Sequence, residues 1–68
     1  MRTIMKRLRK EQGYTQETLA KELGVSTSHY SQVETGDKQP SLNLGLRIKR
    51  VLNYYGDDIF DNEPIVRK

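Results

Sequence analysis

The sequence predicts an all-α fold built from five short helices. Two observations lead there. Apolar residues recur at helical spacing in segment after segment, and each segment opens on a capping residue or closes on glycine or asparagine. The links between segments are short, as in a helical bundle.

Residues 2–12 read as the first helix. Met1, Met5 and Leu8 share a face with Ile4 beside them, while Lys6, Arg7 and Lys10 point elsewhere; Gly13 supplies the stop. Thr15 stands where an N-cap belongs, and Glu17 in the first turn suits the helix dipole. Thr18 holds the place a capping box gives to Glu or Gln, so only a partial cap is expected. Leu19, Ala20 and Leu23 form the apolar face of this second helix, and Gly24 follows at once. Ser26 caps a third helix over residues 27–35, stopped by Gly36, with Tyr30 and Val33 as its apolar contacts. Ser41 caps a fourth through Leu52, whose apolar positions are Leu42, Leu44, Leu46, Ile48, Val51 and Leu52; Asn53 ends it. Asp57-Asp58-Ile59-Phe60 reads as a last short helix, broken by Pro64.

Composition narrows the function. At 68 residues the chain is one small domain, a size that buries only about 60% of its unfolded surface. It has no cysteine and one histidine, so a metal site or disulfide framework is not expected. No apolar run approaches the ~20 residues that span a bilayer, and the basic start precedes no long apolar segment, so a cytoplasmic protein is expected. Paired carboxylates and a phosphate-cradling glycine loop are lacking, so neither enzyme chemistry nor a cofactor or small-molecule ligand is expected. The net charge of +3 is uneven: residues 1–52 carry +5 and residues 53–68 carry −2. A basic body with an acidic end suits a polyanion on one side.

The informative stretch is Thr15 to Gly36, two short helices joined through Gly24. So short a link makes them cross steeply, at roughly 90–120°, and holds the second helix out. With Tyr30 at the core and about 100° per residue, Ser28, Gln32 and Thr35 fall opposite it. Thr27 and Ser31 flank them and His29 lies to one side. This face is polar but uncharged. Gln can bond adenine N6 and N7 together, and Ser or Thr can serve several base edges. A solvated face that happens to lack charge fits the same composition.

Gly13-Tyr14-Thr15-Gln16-Glu17-Thr18-Leu19-Ala20-Lys21-Glu22-Leu23-Gly24-Val25-Ser26, then Val33-Glu34-Thr35-Gly36, then Pro40-Ser41-Leu42 closely resembles the lambda-repressor-like (Cro/Xre-type) helix-turn-helix family. The likeness extends to Asp57-Asp58-Ile59-Phe60 and covers nearly all of residues 2–60. It implies a compact five-helix domain over residues 1–61, a short tail over 62–68, and binding to double-stranded DNA. By position it assigns Thr27, Ser28, Ser31 and Gln32 to base edges and Gln16 and Lys38 to phosphates, with His29 a further phosphate candidate. It implies that Arg9 and Glu34 form a structural ion pair. Tyr30 stands where the family has Ile or Val and is expected in the core, its hydroxyl at the edge. Arg2, Lys6, Arg7 and Lys10 are read as phosphate-reaching or simply solvated. Three positions depart from the family pattern: Asp37 for a basic residue, Gly45 for a core Leu, and Lys49 for a small residue.

A repressor acting by occupancy is the leading expectation. One such domain reads few base pairs, so a homodimer on an inverted repeat is expected, joined through the last helices and tail. Tyr54, Tyr55, Ile59, Phe60, Ile65 and Val66 are the candidates, with intramolecular core as the alternative for Tyr54, Ile59 and Phe60. A protein-interaction module such as an antitoxin is the competing expectation, with the acidic 57–63 stretch facing a basic partner.

Overall fold

A computed structural model describes residues 1–62. Four α-helices run in order, α1 Thr3–Glu11, α2 Gln16–Leu23, α3 Thr27–Thr35 and α4 Leu42–Leu52, followed by a 3₁₀ turn at Asp57–Phe60. The fifth expected helix is thus a single tight turn. Pro64, Ile65 and Val66, read above as a helix stop and as dimer contacts, lie outside the described residues.

Three of the helices start where a hydroxyl can take an orphan amide. Thr15 Oγ1 accepts from the Thr18 amide at 3.0 Å, Ser26 Oγ from the His29 amide at 3.0 Å, and Ser41 Oγ from the Leu44 amide at 3.2 Å. At α2 the box is closed rather than partial: Thr18 Oγ1 accepts from the Thr15 amide at 2.9 Å. A threonine hydroxyl accepts as a glutamate oxygen would, and here it is close enough to reach back. The helices α2, α3 and α4 stop on left-handed residues, Gly24 (φ 75°), Gly36 (φ 94°) and Asn53 (φ 54°). At Gly24 that conformation lets the chain turn at once into α3, which a side chain would resist. Arg47, from α4, donates to the Leu23 carbonyl at 3.2 Å and so closes the same helix end from outside.

The core is made by Met5 of α1, Leu19, Ala20 and Leu23 of α2, Tyr30 and Val33 of α3, Leu44, Ile48 and Leu52 of α4, and Ile59 of the 3₁₀ turn. The helix α2 packs on both α3 and α4, while α1 packs on α3 and the closing turn. Ala20 is the small residue at the crowded centre. Along α4 the buried stripe is Leu44, Ile48 and Leu52, spaced by four, with Gly45 beside it. Leu42 and Leu46 lie two residues off that stripe, about 200° around the helix, and are 80% and 52% exposed. Of the six apolar positions of this helix, these two therefore stand outside the core.

Two further expectations change. Arg2, read as solvated or phosphate-reaching, is fully buried. Tyr30 is fully buried as expected, but its hydroxyl is not at the edge: it is enclosed, with no hydrogen-bond partner among the described residues. The ring enters the core head first, beside the Arg9–Glu34 pair.

Candidate nucleic-acid interface

Glu34, at the C-terminal end of α3, organises one side of the site from within. Its carboxylate is 2% exposed and takes two partners: Arg9 Nε of α1 donates to Oε1 at 3.2 Å, and Gln16 Nε2 of α2 donates to Oε2 at 2.9 Å. Arg9 also donates to the Tyr14 carbonyl at 2.9 Å, holding the turn between α1 and α2. One buried carboxylate thus joins three helices and fixes how Gln16 leaves the start of α2. An amide nitrogen carries two protons; with one committed to Glu34, the other remains for an acceptor outside. Burial in the core, with the Glu34 carboxylate close by, pushes the Tyr30 phenol well above its ordinary value of 10.0.

On the outer side of α3, Thr27 and Ser28 are exposed, and Ser31 and Gln32 are half-buried. Among the described residues none of these four side chains makes a hydrogen bond, so their polar atoms stay open to a ligand. Thr35 differs. Its hydroxyl donates to its own helix, at the Gln32 carbonyl (3.1 Å), and lies 3.1 Å from Asp37 Oδ2. It takes part in ending the helix and gives Asp37 a local role. His29 is half-buried, and its backbone amide is occupied by Ser26.

The loop after α3 carries Lys38, whose side chain is exposed. Its backbone is held from two sides: the Lys38 amide donates to the Gln32 carbonyl at 3.1 Å, and the Lys38 carbonyl accepts from Arg2 at 3.1 Å. Gln16 and Lys38 are therefore both tied to the C-terminal part of α3, Gln16 through Glu34 and Lys38 through the Gln32 carbonyl. Arg2 was missed by the sequence reading. A signal was present: a cation just before a helix opposes the helix dipole, so Arg2 needed acceptors elsewhere.

The homodimer candidates fall into two groups. Ile59 is buried core, while Tyr54 and Phe60 are half-buried and pack against that core. Tyr55 is 76% exposed. A shallow cavity of about 300 Å³ borders α4, lined by Pro40, Leu42, Gly45, Leu46, Lys49 and Phe60 among others. Among the described residues no helix is long and apolar enough to cross a membrane, and no His, Asp or Glu cluster could hold a metal.

Comparison with known proteins agrees with this geometry. The helix-turn-helix family model matches residues 5–59. An Archaeoglobus fulgidus protein, 42% identical over 67 residues, covers 96% of both chains. A Methanothermobacter thermautotrophicus protein is 44% identical over 61 residues, covering 88% of each. Bacillus subtilis YgzD is 37% identical over 60 residues, covering 88% of this chain and 91% of its own. All three are named as uncharacterised HTH-type transcriptional regulators, not as enzymes. No solved structure matches the chain at a meaningful level. The helix-turn-helix of α2 and α3, framed by α1 and α4 and matched over most of its length, makes this chain a member of the helix-turn-helix family of transcriptional regulators.

Proposed function

We propose that this protein is a sequence-specific reader of double-stranded DNA that represses by occupying an inverted-repeat operator as a homodimer in the cytoplasm. The observation that carries the reading is the outer face of α3, where the side chains of Thr27, Ser28, Ser31 and Gln32 make no hydrogen bond among the described residues. Short hydroxyls and one amide are suited to base edges in the major groove. Gln16 at the start of α2 and Lys38 beyond α3 are placed to fix the helix against phosphates, with His29 at the margin. Basic residues then supply most of the affinity, and α3 supplies the preference.

A second copy of this chain is the partner this reading requires. One recognition helix reads few base pairs, and half-sites about one helical turn apart, ~34 Å, match a two-fold protein. Support for a docking face comes from Leu42 and Leu46, which α4 turns outward beside Phe60. The same exposed leucines favour, as a second reading, a protein-interaction module such as an antitoxin.

The test is selection of bound duplexes from a random pool at near-physiological salt, with Gln32→Ala run beside the native protein. An enriched inverted repeat whose preference blurs at one position in the variant is expected, at a cost of about 1–3 kcal/mol. No enrichment, with only salt-sensitive bulk binding, turns the assignment toward the interaction module.

A further inference from the structure

Arg2 is the most heavily bonded polar side chain of the described residues, and it lies away from the outer face of α3. Its backbone amide donates to the Glu34 carbonyl at 2.8 Å. Its guanidinium spreads over four acceptors: the Val33 carbonyl, the Lys38 carbonyl at 3.1 Å, Gln39 Oε1 at 3.0 Å and the Phe60 carbonyl at 3.2 Å. Asn62 adds a further bond nearby, donating to the Gly36 carbonyl at 3.2 Å.

These acceptors are not scattered. Val33 and Glu34 carry carbonyls of the last turn of α3, where the regular helix ladder runs out; the Val33 carbonyl also accepts from the Gly36 amide at 3.2 Å. Lys38 and Gln39 belong to the loop that follows. Phe60 closes the domain on the far side. A cation at a helix C-terminus also meets the negative end of the helix dipole. The planar fork of arginine, with five N–H groups in fixed directions, can serve four acceptors at once, whereas the ammonium of lysine has three donors at one point. Burial lowers the Arg2 pKa, yet a guanidinium stays charged in proteins.

We propose that Arg2 is a positioning residue for DNA binding: by clasping the end of α3, the Lys38–Gln39 backbone and the Phe60 carbonyl, it sets where the Lys38 ammonium meets a phosphate without touching DNA itself. The inference rests on the DNA-binding reading above and adds to it a residue that reading does not use.

The test measures binding of a random-sequence duplex as a function of salt, for native protein, Arg2→Lys, Lys38→Ala and the double variant. Arg2→Lys keeps the charge, so a direct phosphate contact or a general field effect would survive it. The expected result is a loss of roughly fivefold to tenfold at ~0.1 M salt, the worth of about one phosphate contact. The salt slope should fall by about one, and the double variant should bind no worse than Lys38→Ala alone. Hydrogen exchange on the free protein gives a second reading: the Lys38 amide, bonded to the Gln32 carbonyl, should exchange faster in Arg2→Lys while core amides of α2 hold. Gln39→Ala, which removes a single acceptor of the fork from an exposed loop residue, should shift both readings the same way but less, and it guards against Arg2→Lys failing to fold. Unchanged binding and slope in both Arg2→Lys and Gln39→Ala, or losses that add fully to Lys38→Ala, overturn the positioning role alone. Native protein that binds no duplex overturns the DNA reading, and the positioning role with it.

Discussion

Phe60 occupies the space that Gly45 leaves open: a Cβ built on Gly45 would stand 3.3 Å from Phe60 Cζ. This accounts for two departures from the family pattern together. Where a leucine would fill the side of α4, the absent side chain admits the Phe60 ring from the closing turn. Lys49, in place of a small residue, then lies 5.7 Å from the centre of that ring and pairs with Asp57. That contact holds the Asp57 carboxyl below its ordinary value of 3.8, first through the hydrogen bond and then through the charge of Lys49.

Gly45 offers a test of this packing with two substitutions of opposite sign. Alanine improves helix propensity by roughly 0.5–1 kcal/mol, and Phe60, half-buried beside an open cavity, can move the few tenths of an ångström required. Gly45→Ala is therefore expected to raise stability slightly. Gly45→Leu should drive into the ring and cost about 1–3 kcal/mol. Urea midpoints at constant m-value decide both.

Glu34 should be the most costly polar residue to remove. Glu34→Ala strands the Arg9 guanidinium, only 9% exposed, and releases Gln16. Breaking a buried pair in this way costs about 3–5 kcal/mol. Denaturant unfolding of Glu34→Ala, Arg9→Met and the double variant checks it. The double variant should be less harmful than the sum of the singles, because no unpaired charge remains.

Tyr30→Phe should leave stability unchanged or raise it by up to about 1 kcal/mol, since an enclosed hydroxyl without a partner is a desolvation cost. The variant should also alter the alkaline limb. The folded-state phenol pKa lies above the ordinary 10.0, so the unfolded chain loses that proton first. Stability present below pH 10 then declines as pH rises past it. Thermal unfolding near neutral pH and at about pH 10.5 should show a larger fall for the native protein than for Tyr30→Phe.

Lys38→Ala should weaken binding to unrelated duplexes alike and lower the salt slope by about one. Titrations of two different duplexes between ~50 and ~200 mM salt measure this. A loss confined to one sequence would move Lys38 from phosphate contact to base reading.

Leu46→Glu probes the proposed docking face and the dimer proposed with it. The residue is 52% exposed, so the monomer should fold as before. Sedimentation should show the variant shifted from dimer to monomer, with loss of tight binding to an inverted repeat but retained weak binding to a half-site. A variant that remains dimeric would place the subunit contact away from α4.

The helices, their limits and the fold class were legible in the sequence because they depend on local chemistry. Thr15, Ser26 and Ser41 cap the amides three residues on, and Gly24, Gly36 and Asn53 stop helices because of the backbone conformation they accept. The outward set of α3 was legible for a related reason, since helical period alone separates Ser28 and Gln32 from Tyr30 and Val33. Tertiary structure decided what depends on residues distant in the chain. Arg2 is a surface cation by composition, and only the arrival of Val33, Lys38, Gln39 and Phe60 around it makes it a buried clasp. Leu42 and Leu46 are as apolar as Leu44, and only the direction from which α2 meets α4 leaves them outside. Gly45 looks like a weak point in a helix until Phe60, fifteen positions later, folds back against it. Helical period and capping act over three or four residues, whereas burial is settled by which faces meet, and that is a property of the assembled chain.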